Sequence, residues 1–243
     1  MHGFYFGDRH RQLYGAYDAP AQPSSRAVVI CQPWGPEGLS GHQSLRRLAR
    51  VLADNDVHAM RFDYYGTGDS AGNGSDTTLE SMLADLDYAV EECADLSQLE
   101  QVWLVGVRLG GTLAAQYAPT AGAVSGVVLW DPIVDGPAYL DQLEQNAKGQ
   151  VEGAWDVGGF LLSPEMRHQI ADFALSDPPE RGGGRPCHAF CFKSSCDSAV
   201  LERAGYGVQV YNEPPPWLVH ADFGSIAVPN ATISAITEFL RDH

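Results

Sequence analysis

The chain has 243 residues, with 31 Asp and Glu against 15 Lys and Arg, for a formal net charge of −16. Affinity for a phosphate backbone or an anionic bilayer comes from Lys and Arg, so nucleic acid and membrane surfaces are excluded as expected partners. Hydrophobic residues at 44% and charged residues at 19% can build a large core, and no run reaches the roughly 18 apolar residues of a membrane span.

The first nine residues, Met1 to Arg9, lack a basic stretch followed by an apolar one, which predicts a cytoplasmic protein. From residue 27 onward short apolar strands alternate with helical patterns, the signature of a mostly parallel sheet with helices on both faces. Ala27 to Gln32 reads as a buried strand, ended by Pro33-Trp34-Gly35-Pro36. Leu45, Leu48, Ala49 and Leu52 recur at helical spacing, and His58 to Asp63 is the next strand. A Gly/Asp/Ser-rich loop runs through Asn73-Gly74. A helix from Asp76 then turns Leu79, Met82, Leu83, Leu86 and Val90 inward and its acids outward. Val102 to Val105 is a strand that runs through Gly106-Val107-Arg108-Leu109-Gly110-Gly111 into an Ala-rich helix, and Val124 to Trp130 is another, ending at Asp131-Pro132.

From Gly136 to Pro186 the alternation stops, with helical stretches and no obvious strand; an insertion of this length reads as a lid. Strands at Cys187 to Phe192 and Val208 to Tyr211, a helix near Ser198 to Ala204 and a last helix from Asn230 to Leu240 complete the pattern. The expected organisation is a core of residues 1–135 and 187–243 with a lid of residues 136–186.

Five cysteines, an odd number without a short secreted framework, read as reduced thiols. Cys187, Cys191 and Cys196 lack the paired short loops of a zinc ribbon, so no metal site is expected, and no cofactor. The charges are unevenly placed. Fourteen carboxylates and a single base, Arg108, occupy the 86 residues between Arg61 and Lys148.

Four features in order resemble the α/β-hydrolase superfamily: the turn Gln32-Pro33-Trp34-Gly35, the loop Phe62-Asp63-Tyr64-Tyr65-Gly66-Thr67-Gly68-Asp69-Ser70, the strand-turn-helix at Gly106-x-Arg108-x-Gly110, and the succession Asp131, Asp197, His220 after later strands. The elbow, that loop and the stretch Gly158 to Met166 look most like the serine aminopeptidase-like branch, closest to the hydrolases associated with exosortase gene systems. The resemblance implies an α/β-hydrolase fold: a mostly parallel twisted sheet, helices on both faces, and a helical lid insertion.

It also locates a departure. Where the elbow Gly-x-Ser-x-Gly holds its nucleophile, this chain has Arg108, which offers only donors and cannot attack or take a proton. Two roles are open to Arg108: a fork for an anionic group on a ligand, or an internal ion pair with Glu37, Asp63, Asp131 or Asp197. The resemblance makes His220 the candidate base and Asp197, or alternatively Asp131, its orienting acid. Trp34, Gly35, Tyr64, Tyr65 and Leu109, with Arg108, are the candidate substrate-binding residues, joined by the lid aromatics Trp155 and Phe160. Cys31, Cys196 and Ser70 are weaker nucleophile candidates, since none is expected at a strained elbow beside a base.

Two functions follow. The first is an atypical enzyme acting on a small or carrier-bound acyl or carbonyl compound through His/Asp acid-base chemistry without a serine acyl-enzyme: hydrolysis, acyl transfer, elimination, epimerisation or cyclisation. The second is a non-catalytic relative that binds an acyl ligand or a protein partner. They divide on the pocket: an open one faced by His220 points to the enzyme, and one crossed by an Arg108 ion pair points to the binding protein. A homodimer is the self-association to test.

Overall fold

The apolar runs of the sequence become the central strands of one sheet. The computed structural model describes residues 1–175, 186–217 and 227–243. Strands β1 (His2–Phe6), β2 (Leu13–Asp18), β3 (Ala27–Cys31), β4 (His58–Phe62), β5 (Val102–Val107) and β6 (Val124–Trp130) precede an insertion; β10 (Cys187–Phe192) and β11 (Gly207–Tyr211) follow it. The eight form a sheet in the order β1-β2-β4-β3-β5-β6-β10-β11. The pairs β1 with β2 and β2 with β4 are antiparallel, and the others are parallel. Every residue of β3 and of β5 is buried, as strands covered on both faces require.

The period of two divides each strand between two cores. Val28, Ile30, Val105 and Trp130 face helices α1 (Gly35–Asp54) and α7 (Asn230–Asp242) through Leu45, Leu48, Leu52 and Ile236. Val29, Leu104 and Leu129 face α2 (Leu79–Ser97) and α3 (Leu109–Tyr117) through Met82, Leu86 and Leu113. Each of these fully buried side chains contributes about 1.5–3 kcal/mol, so the layering is set by the apolar pattern.

Three boundaries differ from the expectation. Helix α2 begins at Leu79, not Asp76, because Thr78 and Ser81 form a capping box while Gly74–Asp76 makes a separate 3-10 turn. The hairpin of β1 and β2 extends the sheet ahead of residue 27, its aromatic residues carrying the alternation in a short segment. The insertion between β6 and β10 also contains strands: after α4 (Gly136–Gln145) come β7 (Ala147–Val151), β8 (Ala154–Val157) and β9 (Phe160–Leu162), an antiparallel sheet, and then α5 (Pro164–Ala171). Strands of three to five residues, β7 mostly exposed, leave no periodicity to read. Gly153, Gly158 and Gly159 adopt positive φ in the turns between them. Among the described residues, no helix is long and apolar enough to cross a membrane.

Candidate functional site

Strand β5 enters α3 through a turn of one residue, Arg108, with φ 52° and ψ −123°, a region that side chains disfavour and glycine tolerates. The surroundings hold it there. The Arg108 N–H donates to Trp130 O (3.1 Å), and its carbonyl accepts from Gly111 N (2.9 Å) and Thr112 Oγ1 (3.3 Å). A side chain on Gly106 would collide with the backbone of Gly110 and Gly111, and one on Gly110 with that of Cys31 and Gln32, so the glycines allow strand and helix to approach.

The guanidinium so presented is 4% exposed. Its Nε donates to Glu37 Oε1 at 2.9 Å, and its Nη1 donates to the Asp131 carbonyl at 3.1 Å and reaches Asp131 Oδ2 at 3.5 Å. Glu37 lies in the first turn of α1, and its other oxygen accepts from Tyr139 of α4 at 2.9 Å. Burial opposes the charge on Arg108, but Glu37 and Asp131 outweigh it and raise the guanidinium above its ordinary value. Burial, and then Glu37, pushes the Tyr139 phenol well above its usual range, so it donates as a neutral hydroxyl.

Asp131 is fully buried at φ 53°. Its Oδ2 accepts from Ser195 Oγ and from Trp217 Nε1, each at 2.6 Å, and its Oδ1 accepts from Phe192 N at 3.2 Å. Asp197 is elsewhere: exposed, it caps α6 (Ser198–Arg203) by accepting from Val200 N at 3.3 Å. His220 lies outside the described residues.

A cavity of about 380 Å³ opens one strand away, between the loops that follow β3 and β4. Trp34, Gly35 and Tyr64 line it, and Phe160 of β9 meets Trp34 edge-on at 6.2 Å between ring centroids. Arg108, Leu109, Asp131 and Tyr65 do not line it. Tyr65 instead carries Arg11 over its ring at 4.2 Å, and Trp155 carries Arg167 at 4.5 Å.

The family model described as Serine aminopeptidase, S33 matches residues 36–170, more than half of the chain. The chain belongs to the serine aminopeptidase S33 family. A curated relative of this S33-family chain is Protein phosphatase methylesterase 1 of Candida albicans, 24% identical over 130 residues. That match takes in 53% of this chain and 34% of the relative, so the chain spans about a third of the relative's length. Among solved structures, a hypothetical protein from Pseudomonas aeruginosa aligns with TM-score 0.72 at 14% identity, covering 100% of this chain and 93% of its own. Est1E from Butyrivibrio proteoclasticus with ferulic acid bound gives 0.69 at 16% identity, with 98% and 96% covered. The α/β-hydrolase GrgF from Penicillium sp. sh18 gives 0.71 at 14%, with 100% and 98%. At these identities the likeness is one of fold, an α/β-hydrolase fold.

Within this S33-family fold the weaker nucleophile candidates also find places. Cys31 is buried in β3, and burial pushes its thiol far up. Cys196 Sγ lies 2.7 Å from Cys191 Sγ, and Ser70 Oγ donates to Asp63 O at 2.6 Å. Among the described residues, no cluster of three or more His, Cys, Asp or Glu could hold a metal ion. Sequence reasoning missed Tyr139, Ser195 and Trp217, each too far along the chain from Arg108 to be linked to it by any local pattern. It also missed Arg61 in the wall of the cavity, although a charged residue between Met60 and Phe62 of a strand was a usable signal.

Proposed function

We propose that this chain is a ligand-binding member of its family that forms no serine acyl-enzyme, and that it takes a small acyl or carbonyl compound in the cavity beside Trp34 and Tyr64, with β9 as the edge of a lid. One observation carries the reading: the residue at the elbow, where Gly-x-Ser-x-Gly places a nucleophile, is an arginine whose side chain is buried and whose donors go to Glu37 and Asp131. Attack at an elbow needs a hydroxyl facing open space and donors aimed at the developing oxyanion. Here the space beside the elbow holds two carboxylates, which oppose negative charge on a substrate. Acid-base catalysis through His220 gains no support from either acid: Asp131 already accepts from three other groups, and Asp197 caps a helix in solvent.

The test pairs reactivity with binding. The purified protein is expected to resist labelling by a fluorophosphonate, to leave p-nitrophenyl butyrate unhydrolysed above background, and to gain about 2 °C or more in melting temperature from a saturating acyl compound such as octanamide or octanoate. Saturable ester hydrolysis or stoichiometric labelling overturns the reading.

A further inference from the structure

Arg61, unlike Arg108, has a guanidinium without a carboxylate partner among the described residues. It lies on β4 in the wall of the 380 Å³ cavity. Among the described residues its Nε is buried with no hydrogen-bond partner, and its Nη2 reaches the thioether of Met1, 3.4 Å away and a weak acceptor. Among the described residues, no carboxylate comes within 4.0 Å of it, although Asp18 and Asp63 act on it from farther off. Asp63 is otherwise engaged: its Oδ1 accepts from Gln32 Nε2 at 2.9 Å and its Oδ2 from Asp69 N at 3.0 Å. Desolvating a guanidinium without a partner is costly, and burial accordingly pulls this one below its ordinary value.

Tyr64 also contributes to the lining, with its hydroxyl turned away from the open space. Tyr64 is 1% exposed, and its hydroxyl has no hydrogen-bond partner among the described residues. Burial, and then Cys31 and Asp85, holds its phenol well above the usual range, so it stays a donor. Trp34, Leu39 and Phe160 give the lining an apolar part, and Arg46 and His42 also line it. Asp63 and Asp69 also line the space, so local fork geometry at Arg61, not a broad positive field, must do the selecting.

We propose that the cavity is a seat for a carboxylate with an apolar tail, its carboxyl group on the Arg61 guanidinium and its tail against Trp34, Leu39 and Phe160. The inference rests on the ligand-binding reading above and deepens it by naming the ligand class.

Octanoate and its neutral isostere octanamide separate the two by calorimetric titration of the whole protein at pH 7.5. Octanoate is expected to bind about tenfold or more tightly than octanamide. Arg61→Met should erase that preference, Arg61→Lys should reduce it several-fold by keeping the charge and losing the fork, and Arg50→Ala, outside the cavity, should leave it intact. Equal binding of the two compounds overturns the carboxylate seat and leaves the pocket reading standing. Failure of both to bind overturns both. Should Arg61→Met not fold, Arg61→Lys decides, and a preference unchanged in it overturns the seat.

Discussion

Arg108 and Glu37, 71 positions apart, form a buried ion pair with Nε and Oε1 separated by 2.9 Å. The pair joins the turn after β5 to the first turn of α1, and Tyr139 extends it into the insertion. One cation thus stands between two carboxylates, Glu37 and Asp131, so its loss leaves both negative and close to each other.

Arg108→Met should therefore destabilise the protein by about 3–5 kcal/mol, the cost of breaking a buried pair from one side. Adding Glu37→Gln should recover part of that loss, because the amide still accepts from Tyr139 and no longer repels Asp131. Urea denaturation of the two variants checks this; a double variant no more stable than the single one would show that Glu37 is not the main partner.

Restoring the hydroxyl does not restore chemistry on the proposed reading. Arg108→Ser would place a serine at the strained turn, but Glu37 and Asp131 would still face it, and a tetrahedral oxyanion would develop beside them. No hydrolysis of p-nitrophenyl butyrate above the unaltered protein is expected from Arg108→Ser. The triple variant with Glu37→Gln and Asp131→Asn is the informative companion, since turnover appearing only there would identify the carboxylates as the barrier.

The layered sheet was legible because β3 and β5 are continuous apolar runs, β6 is apolar from Gly126 to Trp130, and α1 and α2 carry clean helical spacing, patterns that burial imposes directly. The turn at Arg108 was legible too, through Gly106 and Gly110. The partner of Arg108 was not: four carboxylates were open to it, and only the packing of α1 against the sheet makes Glu37 the one at 2.9 Å. The cavity was half legible. Trp34 and Tyr64 line it, whereas Leu109 and Tyr65 do not, because the space opens between the loops after β3 and β4.

A second ion pair, buried on its acidic side, tethers the loop after β4. Arg11 donates from Nε to Asp85 Oδ1 at 2.9 Å, while Tyr65 N donates to Oδ2 at 2.8 Å. The Asp85 side chain is fully buried and that of Arg11 is 27% exposed. Asp85→Ala strands the Tyr65 N–H and the guanidinium together and should cost about 3 kcal/mol. Disrupting the exposed pair Arg50–Asp54 by Arg50→Ala should change stability by less than about 0.5 kcal/mol. Chemical denaturation of both variants in the same buffer makes the comparison, and similar losses would contradict the difference in burial.

His188 gives the fold a dependence on acid. Its ring lies 4.9 Å from those of both Phe190 and Phe239, and its Nε2 is buried without a partner among the described residues. Burial, and then His243, holds its imidazole below the ordinary 6.5, and burial does the same to His58. With the folded value depressed, the unfolded chain takes up the proton first. The stabilisation is whole above 6.5 and is lost as the pH falls through that value towards the folded one. The urea midpoint should drop between pH 7.5 and pH 5, and His188→Phe, which fills the same aromatic stack without a titrating group, should flatten the drop. Carboxylates titrating lower in the range affect both proteins alike, so the difference between their two pH slopes isolates His188. Parallel slopes would mean that its proton affinity is the same folded and unfolded.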